Sequence, residues 1–456
     1  MNIIEPADRQ RVAEAIQRRI RGKDAAGVRD LLGSLHIVDA SAVVSSLPPK
    51  EQKSLFALLP AREIADLIEL MRTDDQVAAV SEMPNETAAK IIEEMAPDEA
   101  ADVLAGIPEK RSREILSNMK PEDAQEAKLL LSYPEDSAGA LMSPDAVALP
   151  EENTIEETIR AIRKSAMAQD PQRSNYVYVT SAERKLVGVL QLRDLVTHDP
   201  KIRIREIMRT GVVQVAATTE RHEVARIFRQ YNLAALPVTN TQGTFLGIIT
   251  ADDAAELIHE IATEEMLKLE GISLDESRDM PWWKISRRRV GWLSLNILLN
   301  VIAASVIAFY QDTLRAVIAI AVFLPIISDM SGCSGMQAVA VSIRDLALEK
   351  IFPKDFLKVL AKELAVGFVN GMVLGIEIGF VAYFWKGIPF LGLVVAAGLW
   401  INTILSVCIG GVVPLLLKRF RVDPAVASGP ILTTVTDMMG FFIVLSLTSR
   451  FIDYLV

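Results

Sequence analysis

The carboxylate with the most to explain is Asp437. It sits in the last long apolar run of the chain, within Ser428-Gly-Pro-Ile-Leu-Thr-Thr-Val-Thr-Asp-Met-Met-Gly440. An ionisable group at the centre of a membrane helix costs about 2.5–3.5 kcal/mol on insertion scales, so it marks an ion path, a proton relay or a buried pair. An earlier apolar run, Leu324-Pro-Ile-Ile-Ser-Asp-Met-Ser-Gly-Cys-Ser-Gly-Met-Gln-Ala338, carries Asp329. Pro325, Gly332 and Gly335 there, and Gly429 and Pro430 before Asp437, are expected to kink or break their helices and free backbone carbonyls. Carbonyls and carboxylates at one depth form the oxygen set that hard divalent cations accept; magnesium keeps its waters and takes one or two carboxylates. A proton relay calls for chains of His, Asp or Glu. The four histidines, His36, His198, His222 and His259, all lie outside the apolar half.

Most other acids have more than one reading. Asp98, Glu99 and Asp102 form either a solvated face or a cation contact. Glu256, Glu260, Glu264 and Glu265 lie mostly four apart, a spacing that costs a helix a few tenths of a kcal/mol per like pair unless a cation bridges them. Asp423, in Asp-Pro, is both a helix N-cap and a contact at the mouth of the apolar region. Glu377 either lines a path or dimer interface, or snorkels or bonds a neighbouring hydroxyl; Glu363 starts the third span near the cytosolic interface and pairs with a lysine.

The elements that position these groups fall into four segments. The net charge is −10 over 456 residues, with the acids concentrated before residue 286 and Lys/Arg outnumbering Asp/Glu after it. That acidic part is unsuited to nucleic acid and attracts cations. Residues 1–131 read as an all-α helical repeat: Pro48, Pro60, Pro84, Pro97, Pro108 and Pro121 punctuate short amphipathic units such as 61–71 and 99–107, and one unit without a proline starts at Thr73. Proline suits a first helical turn, and helices this short must stack to bury their faces. Residues 132–255 hold two α/β units: helix 155–165 with strands 176–179 and 186–190, then helix 221–231 with 236–238 and the stretch 244–253. Residues 256–285 read as a connecting helix. Trp282 and Trp283 mark the interface to a membrane domain over 286–456.

Five apolar spans follow, 290–310, 316–341, 365–385, 391–417 and 425–451, each near the roughly 20 residues a bilayer needs. Arg287, Arg288 and Arg289, the basic loop from Arg344 to Lys362, and Lys418, Arg419 and Arg421 alternate with charge-poor loops. The charge asymmetry puts the N-terminal domains in the cytosol and the C-terminus outside a plasma (inner) membrane. The N-terminus has no secretory pattern, and two distant cysteines, Cys333 and Cys408, make no disulfide framework. No Gly-x-x-x-x-Gly-Lys-Ser/Thr phosphate loop or nucleophile–base pairing is present, so the chain reads as a non-enzyme.

The paired α/β units resemble CBS modules. The resemblance implies that Gly247-x-x-Thr250-x-x-Asp253 holds the ribose of an adenine nucleotide such as ATP, whereas the first copy, Gly188-x-x-Gln191-x-x-Asp194, lacks the threonine. The whole order of segments, and Asp423-Pro-x-x-x-Ser-Gly-Pro430 with Asp437-x-x-Gly440 above all, resembles the MgtE family of magnesium channels or transporters. The resemblance implies a homodimer in a lipid bilayer with Asp437, Thr433, Gly429, Asp329, Gly332 and Gln337 along the ion path. It further implies regulatory Mg2+ on Asp98, Asp102, Asp252, Glu256, Glu260, Glu264 and Asp423, closing a passive divalent-cation pore. One departure stands out: Cys333 occupies a place where that family carries asparagine. A thiol lacks an amide's donor and acceptor and suits softer metals. Two other readings follow: a transporter preferring Co2+ or Mn2+, and a non-conducting membrane sensor of Mg2+ or nucleotide.

Overall fold

The computed structural model describes residues 6–164, 176–273, 276 and 280–455. It divides into two compact units, residues 1–259 and 260–456.

The first unit opens with ten helices: α1 (Pro6–Arg21), α2 (Ala25–Gly33), α3 (Ile37–Ser45), α4 (Pro49–Phe56), α5 (Ala61–Ile68), α6 (Thr73–Ser81), α7 (Asn85–Ile92), α8 (Pro97–Gly106), α9 (Glu109–Asn118) and α10 (Pro121–Leu130). From α3 onward each packs on the helix two places later, so odd-numbered helices form one column and even-numbered helices the other. Ile68, Ile91, Ile92, Leu104 and Ile115 fill the seam between columns. Proline acts at two positions. Pro49, Pro97 and Pro121 sit in the first turn, while Pro60, Pro84 and Pro108 stand one residue earlier as N-caps. In both places the missing N–H is no loss. The unit without proline is real, and Arg72 takes the capping place before Thr73.

Two three-stranded sheets follow. β1 (Ala148–Pro150) runs parallel to β2 (Tyr176–Thr180), which pairs antiparallel with β3 (Leu186–Gln191). β4 (Val215–Ala216), β5 (Ala235–Thr239) and β6 (Phe245–Thr250) repeat that order. Each antiparallel pair is irregular at the same place, Val179/Thr180 and Val238/Thr239. Their helices are α11 (Ile155–Lys164), α12 (Leu192–Thr197) and α13 (Arg221–Tyr231); residue 165, the expected end of the first, lies outside the described residues. The two modules join through Tyr178 stacked on Phe245 at 5.0 Å and through backbone bonds from Leu186 to Gly243 and from Phe245 to Arg184.

The connecting helix differs from expectation. α14 spans Ala251–Leu269 and does not run to 285. Gly271, at φ +69, turns the chain away, a conformation that glycine adopts without strain. Residues 274–275 and 277–279 of the expected helix lie outside the described residues. Arg289 grips Glu276 and Arg288 reaches Ser273, and Trp282 already belongs to the next helix.

In the second unit α15 (Trp282–Phe309) is followed by the short α16 (Gln311–Ala316) and a 3-10 turn, Ile318–Val322. Then come α17 (Leu324–Ala347), α18 (Phe356–Lys386), α19 (Pro389–Arg419) and α20 (Pro424–Arg450). Five helical stretches are long and apolar enough to cross a membrane. Span two is not broken where Pro325, Gly332 and Gly335 suggested. Pro325 lies in the first turn of α17, where it is harmless, and the interruption precedes it, in the 3-10 turn. Gly335 gives close approach instead of a kink: an added Cβ would lie 2.3 Å from Ser406 Oγ, and Gly410 of α19 meets the Gly335 carbonyl equally closely. α20 likewise stays helical through Pro430. On α18, Gly367, Gly371, Gly375 and Gly379 form a buried strip against the α19 backbone at Ile404, Trp400, Ala396 and Gly392, the close packing that small residues permit in membranes.

Candidate ion site

Asp437 is half-buried on α20, and Ser328 of α17 donates its hydroxyl to Asp437 Oδ1. Asp329, the next residue along, is near enough for its charge to act on Asp437. Asp329, Cys333 and Gln337 are spaced one turn apart and all are exposed, so α17 presents one polar stripe that none of the described helices covers. Gly332 is buried behind that stripe. On α20, exposed Thr433 donates to the Gly429 carbonyl at 3.1 Å, and Thr434 to that of Pro430 at 2.7 Å. Pro430 supplies no N–H to the carbonyl one turn earlier. Glu377 instead lies on the outer face of α18 with Val373 and Phe380, opposite the glycine strip. Glu363 packs on Gly411 of α19.

The other acids fall into smaller groups. Asp98 is nearly buried, at 8 % exposure. Beside it Glu99 is pushed up to about 8, chiefly by burial; a hydrogen bond from Gln76 opposes this, and Asp98, Asp102 and Glu69 add to it. Asp253 also lies above the ordinary carboxylate range, because of burial first and the charges of Asp98 and Asp252, against the pull of Thr250. Thr250 donates both its N–H and its hydroxyl to Asp253. In the first copy Gln191 and Asp194 reproduce the backbone half of that clamp without the hydroxyl. A cavity of about 310 Å³ opens there, lined by Tyr176, Gln191, Leu192, Arg193 and Ala234. Asp252 and Glu256 are exposed at the start of α14.

Glu264 and Asp423 are brought together with an ammonium between them. Lys268 Nζ lies 2.9 Å from Glu264 and 3.1 Å from Asp423. Burial pulls Lys268 down, but the two carboxylates outweigh it and hold its pKa above the ordinary value. The other oxygen of Asp423 caps α20 through the Ala425 N–H at 2.9 Å, so both sequence readings of Asp423, cap and charge contact, meet in one side chain. A divalent ion at this pair would have to displace Lys268. Among the described residues no three His, Cys, Asp or Glu side chains converge as a metal-ready group. Sequence reasoning passed over Ser328 and Lys268. The signal for Ser328 was a hydroxyl beside an acid in an apolar run; for Lys268 it was a base four residues after Glu264.

Three family models match in chain order: the MgtE intracellular N domain over residues 35–136, the CBS domain over 138–201 and 204–260, and a divalent cation transporter over 324–447. The magnesium transporter MgtE of Enterococcus faecalis is 35% identical over 94% of this chain and 94% of its own length. That of Thermus thermophilus is 31% identical over 97% and 99%. The chain belongs to the MgtE family. It is a multi-pass membrane transporter of divalent cations, not an enzyme. Two solved structures agree for the soluble part of this MgtE-family chain. The soluble part of a magnesium transporter matches with a TM-score of 0.52 and 28% identity, covering 56% of this chain and 99% of that one. The cytosolic domain of the Mg2+ channel MgtE in complex with ATP matches with a TM-score of 0.50 and 31% identity, over 54% and 99%.

Proposed function

We propose that this MgtE-family chain is a passive Mg2+ channel that works as a homodimer, with Asp437 from each copy facing a shared ion path. The observation that supports this best is the uncovered polar stripe of Asp329, Cys333 and Gln337 beside Asp437 and Thr433. Polar groups at bilayer depth belong against protein or water, not lipid, and a second copy of the same face would enclose them. Oxygen ligands from Asp437, the Gly429 carbonyl, Thr433, Asp329 and Gln337 suit an ion that keeps part of its water shell. The driving force is the membrane potential, about 2.3 kcal/mol per charge per 100 mV. The basic loops support a plasma-membrane orientation with the soluble domains in the cytosol and the C-terminus outside.

Regulation is assigned to the acids. Cytosolic Mg2+ bound by Asp98, Asp102, Asp252, Glu256, Glu260, Glu264 and Asp423 would hold the path shut, and ATP would sit by Thr250 and Asp253. The name of the ATP-bound relative supports that nucleotide. The deciding experiment is divalent uptake into liposomes carrying the full chain: Asp437→Ala is expected to abolish flux, and unchanged uptake would end the ion-path assignment. One observation favours a second reading. Exposed Cys333 shares the stripe with Asp329, and a thiol suits softer ions than Mg2+. On that reading Co2+ competes well with Mg2+ in the parent and several-fold less well in Cys333→Asn; equal competition in both removes it.

A further inference from the structure

Behind Asp437 three helices close a ring of polar groups. Ser328 of α17 holds Asp437. One turn along α17, the Ser331 carbonyl accepts a 2.5 Å hydrogen bond from Ser406 of α19. One turn back along α19, Asn402 lies against Gly440 of α20, where an added Cβ would stand 2.6 Å from Asn402 Nδ2. Gly440 is in turn one helical turn from Asp437. Each helix thus gives the ring two positions on one face, and Asp437 is its only charge.

The ring is chemically incomplete. Asn402 is fully buried, yet neither its Oδ1 nor its Nδ2 finds a hydrogen-bond partner among the described groups, and neither does the Ser331 hydroxyl. Thr403 Oγ1 is also unpartnered, but Thr403 packs on Gly371 of α18 and so belongs to another face. A buried amide without partners is expensive, and a leucine would fill similar space without that cost. The open groups mix donors and acceptors. That mix fits water and not a bare cation, which takes acceptors alone.

We propose that Asn402 is a positioning residue for ion transfer: with Ser331 it holds water behind Asp437, and this hydrated ring sets where α20 presents the carboxylate. Gly440 is the opening that admits the amide. The inference rests on Asp437 being the ion ligand. It goes beyond that reading by naming a side chain that never faces the ion path and yet sets its performance.

The test uses the full chain in liposomes, with Mg2+ flux and thermal stability measured on the same preparations. In Asn402→Leu, Tm is expected to hold or rise, because a buried polar group without a protein partner has been replaced by an apolar one, while Mg2+ flux falls tenfold or more. Asn402→Ser, which still binds water, is expected to recover part of the flux, and Gly440→Ala to lose flux as its methyl takes the place of the amide. If Asn402→Leu conducts within twofold of the parent, the inference is overturned. It is equally overturned if flux falls only in step with Tm, which is what a packing role gives. Asp437→Ala separates the two assignments: flux surviving that change removes the ion site itself, whereas flux lost there but kept in Asn402→Leu removes only the role of Asn402.

Discussion

At the scale of single residues, charge placement is the theme. Lys268 is a tethered cation at carboxylates that sequence reasoning gave to Mg2+. A protein ammonium competes with a free divalent ion for the same oxygens, so Lys268→Met is expected to lower, several-fold, the Mg2+ concentration that protects α14 from proteolysis. An unchanged midpoint would show that Glu264 and Asp423 do not bind the ion. The acid beside Asp98 behaves differently. Glu99 is protonated in the folded chain up to about pH 8, whereas its ordinary value is 4.5. Between those values the folded state binds the extra proton, so the stability that this carboxyl contributes is fully present below about pH 4.5 and is lost as pH rises through about 8. The slope is up to about 1.4 kcal/mol per pH unit. With a chelator present, Tm of the parent should fall across that window, and Glu99→Gln should flatten the fall and be the more stable protein at pH 8.

At the scale of elements, what the sequence disclosed followed from how local the signal was. The proline-punctuated helices were legible because proline acts on its own turn, and Thr73 could be added by spacing alone. The paired sheets showed through repetition, and the structure adds an irregularity at the same place in each copy that the repeat did not announce. Span two misled because glycine has two uses. Gly332 and Gly335 read as breaks, but α17 stays helical through both, and at Gly335 the missing Cβ leaves room for Ser406 and Leu432. The connecting helix was overextended because apolar and acidic periodicity give no stop signal, and Gly271 was the residue to notice. Ser328 left only the faint mark of a hydroxyl beside an acid and Asn402 none: one small polar residue in an apolar run has no period, and its importance comes from which helix lies opposite.

At the scale of the whole molecule, the two cysteines provide a direct test of assembly. Cys408 is buried and Cys333 exposed on the stripe that a second copy would cover. A short bifunctional thiol reagent applied to the protein in membranes is therefore expected to give a dimer-sized band, lost in Cys333→Ser and kept in Cys408→Ser. A band that survives Cys333→Ser would place the symmetry axis elsewhere. The glycine strip of α18 has a mechanical consequence. α17, α18 and α19 meet through backbone, at Gly335 with Gly410 and along Gly367 to Gly379, and such contacts cannot slide without several parting together. α20 is fastened by side chains, at Ser328, Asn402 and Val444, which can exchange rotamers. The three helices are joined backbone to backbone, so a shift of α20 is expected to break fewer backbone contacts than a shift of any of them, and Lys268 on Asp423 is an ion pair that ties α20 to α14.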